Sequence, residues 1–259
     1  MWSKGRRQFP FQWSGLCLSG PRFYLGVHNL PRGEARSWMD ALAAYTQTRQ
    51  PRELSQLLAG LNESPGILIV FNHPLWDEKG IGAQEHTRLV ASFLGECGGW
   101  IHALELNGMR SWTENKQVMA LAKSTSRCLI SGGDRHGLEP NALVNLTNAF
   151  TFEEFVNEVR CERMSDVLIM PQYREPIAFR YAETIWETIR DYPQKQGRVR
   201  WSDRFYQRTD NGDVPFAQVW QEGGPGAIGV FIRILRLLGN SHVRSTLRLA
   251  MRATGEVMP

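Results

Sequence analysis

With 259 residues, 42% of them hydrophobic and 22% charged, the chain is long enough to bury a sizeable core, which excludes general disorder. Its formal net charge of +4 is matched by one end alone, since residues 226–259 carry Arg233, Arg236, Arg244, Arg248 and Arg252 against a single acid, Glu256. The remainder is near neutral, which excludes a nucleic-acid-binding surface spread over the fold.

Residues 1–20, MWSKGRRQFPFQWSGLCLSG, are expected to be an atypical leader. Pro10, Gln12, Ser14 and Gly15 interrupt the apolar core that a signal peptide requires. Cys17, Cys97, Cys128 and Cys161 are too scattered for a disulfide framework or a cysteine zinc site, and a reducing cytoplasm is the expected location. No stretch reaches the roughly 18 uninterrupted apolar residues of a membrane span.

Four apolar runs follow in order: RFYLGVHN (22–29), GILIVFNHP (66–74), WIHALELNG (100–108) and RCLISGGDRH (127–136), with DVLIMPQY (166–173) as a fifth. Between them EARSWMDALAAYT, RELSQLLAGL, EHTRLVASFLGE, ENKQVMALAKS and TFEEFVNEVRCERM have helical spacing. Strand alternating with helix predicts an α/β fold with a parallel sheet buried on both faces. In such sheets chemistry gathers at the carboxyl ends of the strands. That edge would then carry His28, His73, Glu105 with Asn107, and Asp134 with His136.

The last pair, in GGDRHG (132–137), is two residues apart in extended backbone, so carboxylate and imidazole share a face and suit one metal ion. Alternation places His102 on the opposite face of its strand from Glu105, as a structural residue, while His86 and His242 are expected at the surface or in caps.

The succession FNHP, ALELNG, SGGDRHG, with GVH before it, resembles the PHP family of polymerase and histidinol phosphatase metal-dependent phosphoesterases. The resemblance covers roughly residues 20–173. It implies a distorted (β/α)7 barrel holding divalent metals, commonly zinc, manganese or iron, and hydrolysing a phosphorylated small molecule or another phosphate ester. By position, His28, His73, Asp134 and His136 resemble metal ligands. Asp134, His136 and Glu105 are the expected catalytic groups, with Glu105 either at the metal or orienting an imidazole. Arg110 and Asn107 are expected at the substrate, Arg110 through its planar fork.

The family's first-strand HxH and following DH motifs are not in this chain. Residues 21–175 are therefore expected to be the C-terminal part of a barrel incomplete at its N-terminus, and 176–259 a helical extension. The alternative is a non-catalytic, degenerate relative that binds metal or a partner. In the extension, Ile177, Tyr181, Ile185, Trp186 and Ile189 follow helical spacing, then come a polar linker and the helical stretches AIGVFIRILRLL and SHVRSTLRLAMRA. Arg244, Arg248 and Arg252 recur every four residues opposite Leu247 and Met251, a stripe suited to weak contact with an anionic membrane surface.

Overall fold

Branched and aromatic side chains buried on both faces turn four of the apolar runs into neighbouring strands of one sheet. These are β2 (Arg22–His28), β3 (Leu68–Asn72), β4 (Ala103–Asn107) and β5 (Cys128–Gly132), with the short β1 (Leu16–Cys17) added at the edge beside β2. The computed structural model describes residues 16–17, 22–48, 51–133, 142–220, 224–238 and 243. The chain divides into two units, Met1–Gly132 with Leu143–Ile169, and Gly133–Ala142 with Met170–Pro259.

In the first unit α1 (Arg32–Thr48) and α2 (Pro51–Glu63) connect β2 to β3, α3 (Ala83–Cys97) connects β3 to β4, and α4 (Trp112–Ser124) connects β4 to β5. Proline at the first position of α2 presets helical φ where the amide has no intrahelical partner. Ser111 opens α4 by accepting the Glu114 amide at 3.1 Å. The β3–β4 and β4–β5 pairs are parallel, as the alternation predicts. The β2–β3 pair is antiparallel, which corrects the all-parallel expectation. Two intervening helices give the chain room to enter the sheet in either direction, and the apolar pattern of a strand is the same both ways.

Paired residues share a face, so Val70, Ala103, Cys128 and Ile130 line one side. These close with Leu68 against Val156 and Val159. Val156 belongs to α5 (Phe152–Asn157), which opens on a capping box between Thr151 and Glu154. Val159 lies in the π-helical turn Glu158–Glu162 that follows. The opposite face packs Phe71 on Phe23 and on Phe93 of α3, with ring centroids 5.2 and 5.0 Å apart.

The fold is mixed α/β, and among the described residues the sheets are open and no closed barrel forms. One face of the sheet is covered by α5 and its π turn. A second correction concerns the fifth run: β7 (Asp166–Ile169) pairs antiparallel with β6 (Leu143–Leu146) in a sheet of its own. β6 lies beside β5, where the Asn145 side chain accepts the Ser131 amide at 2.7 Å.

In the second unit the 3-10 turn Pro171–Arg174 leads into α6 (Ile177–Ile189). The stretch expected as a polar linker contains the 3-10 turn Trp201–Asp203 and a hairpin, β8 (Tyr206–Thr209) with β9 (Gly212–Pro215). The hairpin turns at Asp210-Asn211, and Gly212 takes the φ of +114° that other residues avoid. α7 (Phe216–Val219) follows, and α8 (Gly226–Leu238) packs Ile232 and Leu235 on Ile189, beside Trp186 and Trp201. Among the described residues no helix is long and apolar enough to cross a membrane.

Candidate functional site

The parallel register sets Glu105 opposite Ile130 and Asn107 opposite Gly132, so the carboxyl ends of β4 and β5 form one rim. Glu105 is only 3% exposed. Burying a carboxylate is tolerable when donors meet it. One carboxylate oxygen, Oε2, accepts the backbone N–H of His73 at 2.6 Å and the side-chain amide of Asn107 at 3.3 Å. The other lies over Gly132, where an added Cβ would fall 1.5 Å from Oε1. Glycine at 132 is thus the space into which the Glu105 carboxylate fits.

His73 directly follows β3 with φ +28°, a conformation uncommon for a residue with a side chain. The bond from its N–H to Glu105 holds it there. The residue is 8% exposed, and its ring lies edge-on to two aromatic rings, Tyr24 at 4.9 Å and Trp76 at 5.0 Å. Burial, and then the positive charge of Arg110, lower its pKa to about 3, against a hydrogen bond to its own backbone that raises it. The imidazole is therefore neutral near pH 7, the form that binds metal.

Arg110 is buried, and its guanidinium sits 3.8 Å over the Trp76 ring with Glu114 Oε1 4.0 Å from its Nε. Tyr24 stacks on Trp76, 5.8 Å away at 21°, and donates its hydroxyl to Glu78 at 2.6 Å. Desolvation raises the carboxyl pKa of Glu114 while Arg110 pulls it down. Asn107, expected at the substrate, is fully buried and builds the turn after β4. Its Oδ1 accepts the Met109 amide at 2.7 Å, and its backbone N–H and C=O bond the Asn115 side chain at 3.0 and 2.9 Å.

His28 does not share this rim. Because β2 runs antiparallel, His28 pairs with Leu68 and Tyr24 with Asn72, so His28 lies at the far end of the pair from His73. Leu68 and Asn72 are four residues apart in β3, about 13 Å at the usual rise per residue. The His28 ring folds back over Gly26, where a Cβ would meet its Nε2 at 2.7 Å. Its pKa is lowered by burial. The residue that β2 delivers to the rim is Tyr24, which strand direction reveals and sequence periodicity does not.

Asp134 and His136 lie outside the described residues, as do His242, Arg244, Arg248 and Arg252. His102 accepts the Ile69 amide through Nδ1 at 2.8 Å and donates from Nε2 to Asn62 at 2.9 Å. Burial, then the charges of Arg160, Arg163 and Arg127, lower its pKa to about 3. This ring bridges β3 to the end of α2, away from the rim. His86, expected at the surface or in a cap, is 2% exposed and donates to the Pro74 carbonyl at 3.0 Å, anchoring the loop that carries Trp76.

The described residues therefore bring together Tyr24, His73, Trp76, Glu105 and Arg110: a neutral imidazole, a carboxylate and a guanidinium between aromatic walls. Among the described residues no group of three histidine, cysteine or acidic side chains lies close enough to hold a metal ion. Tyr24 and Trp76 were not singled out in the sequence, where a lone aromatic in a strand or loop carries no chemical signal. No protein-family model, curated protein or solved structure matches the chain.

Proposed function

We propose that the chain is a metal-dependent phosphoesterase acting on a phosphorylated small molecule or phosphate ester, with its site at the rim of β3 and β4. The observation that carries this reading is the neutral His73 imidazole tied through its backbone to the buried Glu105 carboxylate, within the field of the Arg110 guanidinium. The PHP-type barrel, incomplete at its N-terminus, is part of the same proposal.

The proposed ligands of the divalent metal remain those expected from the sequence, of which His73 is described and Asp134 and His136 lie outside the described residues. The donor types suit zinc, manganese or iron, and the described share of the set is His73 with Glu105 behind it. Such an ion supplies an acidified water and polarises the phosphoryl group. The protein's own contributions follow from the rim. Glu105 fixes the position of His73, Arg110 offers planar donors to a phosphoryl oxygen, and the Tyr24–Trp76 stack keeps water from the imidazole.

His28 stands apart from the rim, and this placement favours a second reading, a non-catalytic metal-binding or interaction protein. One experiment separates the two. The purified chain is loaded with zinc, manganese or iron, its bound metal is measured, and it is assayed with aryl phosphomonoesters and phosphodiesters. Bound metal with hydrolysis lost in both His73→Ala and Asp134→Ala supports the esterase. Bound metal without hydrolysis supports the second reading, and a chain that neither binds metal nor hydrolyses any ester contradicts the esterase and favours the interaction protein.

A further inference from the structure

Among the described residues of the second unit, α8 carries an exposed apolar surface. α8 reads GAIGVFIRILRLL and is apolar on nearly every side. Ile232 and Leu235 turn inward onto α6. Val230, Phe231, Ile234 and Leu237 recur at i, i+1, i+4 and i+7, which makes a single stripe on another face, and they are 55%, 52%, 51% and 61% exposed. Four large apolar side chains in one exposed row mark a surface that meets something other than water.

The charges beside the stripe identify the occupant. α8 carries Arg233 and Arg236 and no acidic residue. Helical geometry sets Arg233 on the flank of the stripe, one turn from Leu237. The sequence beyond it adds Arg244, Arg248 and Arg252 against Glu256 alone. A second copy docking two-fold through this face would bring arginines onto arginines with no acid in the helix to pair with them. A surface both apolar and negatively charged satisfies the two features together.

We propose that α8 docks in the plane of an anionic lipid bilayer. Val230, Phe231, Ile234 and Leu237 enter the boundary between headgroups and acyl chains, and the arginines meet lipid phosphates and acidic headgroups. The 13 residues of α8 span about 20 Å, short of the roughly 30 Å hydrocarbon core, so the helix lies along the surface and does not cross it.

The test is co-sedimentation of the full chain with phosphatidylcholine vesicles, with and without phosphatidylserine, at low and high salt. The wild-type chain pellets with the anionic vesicles, less with neutral ones, and is released by salt. Phe231→Glu with Ile234→Glu, at half-exposed positions where the fold tolerates charge, weakens binding about tenfold or more, with circular dichroism unchanged. A wild-type chain that stays in the supernatant overturns the proposal. So does a folded double variant that pellets equally well. Self-association abolished by the double variant, without vesicle binding, assigns the stripe to a second copy and likewise overturns it.

Discussion

At the scale of single residues, the site depends on an absent side chain. Glu105 occupies the volume that a Cβ at Gly132 would take, with its Cδ 2.2 Å and Cγ 2.5 Å from that point. Gly132→Ala is expected to displace the carboxylate, release the His73 amide and destabilise the fold by about 1–3 kcal/mol, which urea denaturation measures. Wild-type stability in the variant would show that the carboxylate has room to move. The histidines set the acid limit. His73 and His102 both fall from the usual 6.5 to about 3 through burial and neighbouring arginines. The unfolded chain therefore takes up protons first, so their contribution is complete above about pH 6.5 and is lost as the pH falls toward 3. Each adds a slope of up to about 1.4 kcal/mol per pH unit in that window. Denaturation across this range should show a shallower slope in His102→Gln, and an unchanged slope would contradict the neutral assignment.

At the scale of elements, one guanidinium ties the π turn after α5 to the end of α2. Arg160 donates to the carbonyls of Ser64 and Ile67 at 2.6 and 2.7 Å, and to the carbonyl and side-chain oxygen of Asn62, both at 3.0 Å. Arg160→Met keeps the apolar stem and removes all four bonds, and it should cost about 2–4 kcal/mol by thermal or chemical denaturation. Val156 and Val159 cover the sheet beside this tie, so a loss below 1 kcal/mol would mean that their packing holds the turn without it. The elements also show what a linear pattern transmits. β3, β4 and β5 were legible as continuous apolar runs, and α3, α4 and α6 through their 3.6-residue spacing. The direction of β2 was not legible, because alternation reads the same forwards and backwards. That ambiguity exchanged Tyr24 for His28 at the rim. β6 has only four residues, too few for a period to register. The β8–β9 hairpin has a usable signal in its Asp-Asn-Gly turn, set within a polar stretch without apolar alternation.

At the scale of the whole molecule, an open α/β sheet ends in a rim that holds a neutral imidazole, a buried carboxylate and a guanidinium within an aromatic wall. His73 and Glu105 were legible because NHP and LELN place rare polar groups at the ends of apolar strands. Their union through the His73 amide was not, since it depends on a backbone turn at positive φ. If the rim is a metal-dependent phosphoesterase site, Glu105→Gln should keep the fold and lower hydrolysis, because the amide accepts the His73 bond less strongly than a carboxylate does. Circular dichroism beside the ester assay checks this. The measurement that tests the central claim most directly is the amount of zinc, manganese or iron retained per chain after exhaustive dialysis, in the wild type and in His73→Ala. The account predicts at least about one ion per wild-type chain and a clear loss in the folded variant. Equal retention in the two, or none in the wild type, would contradict it.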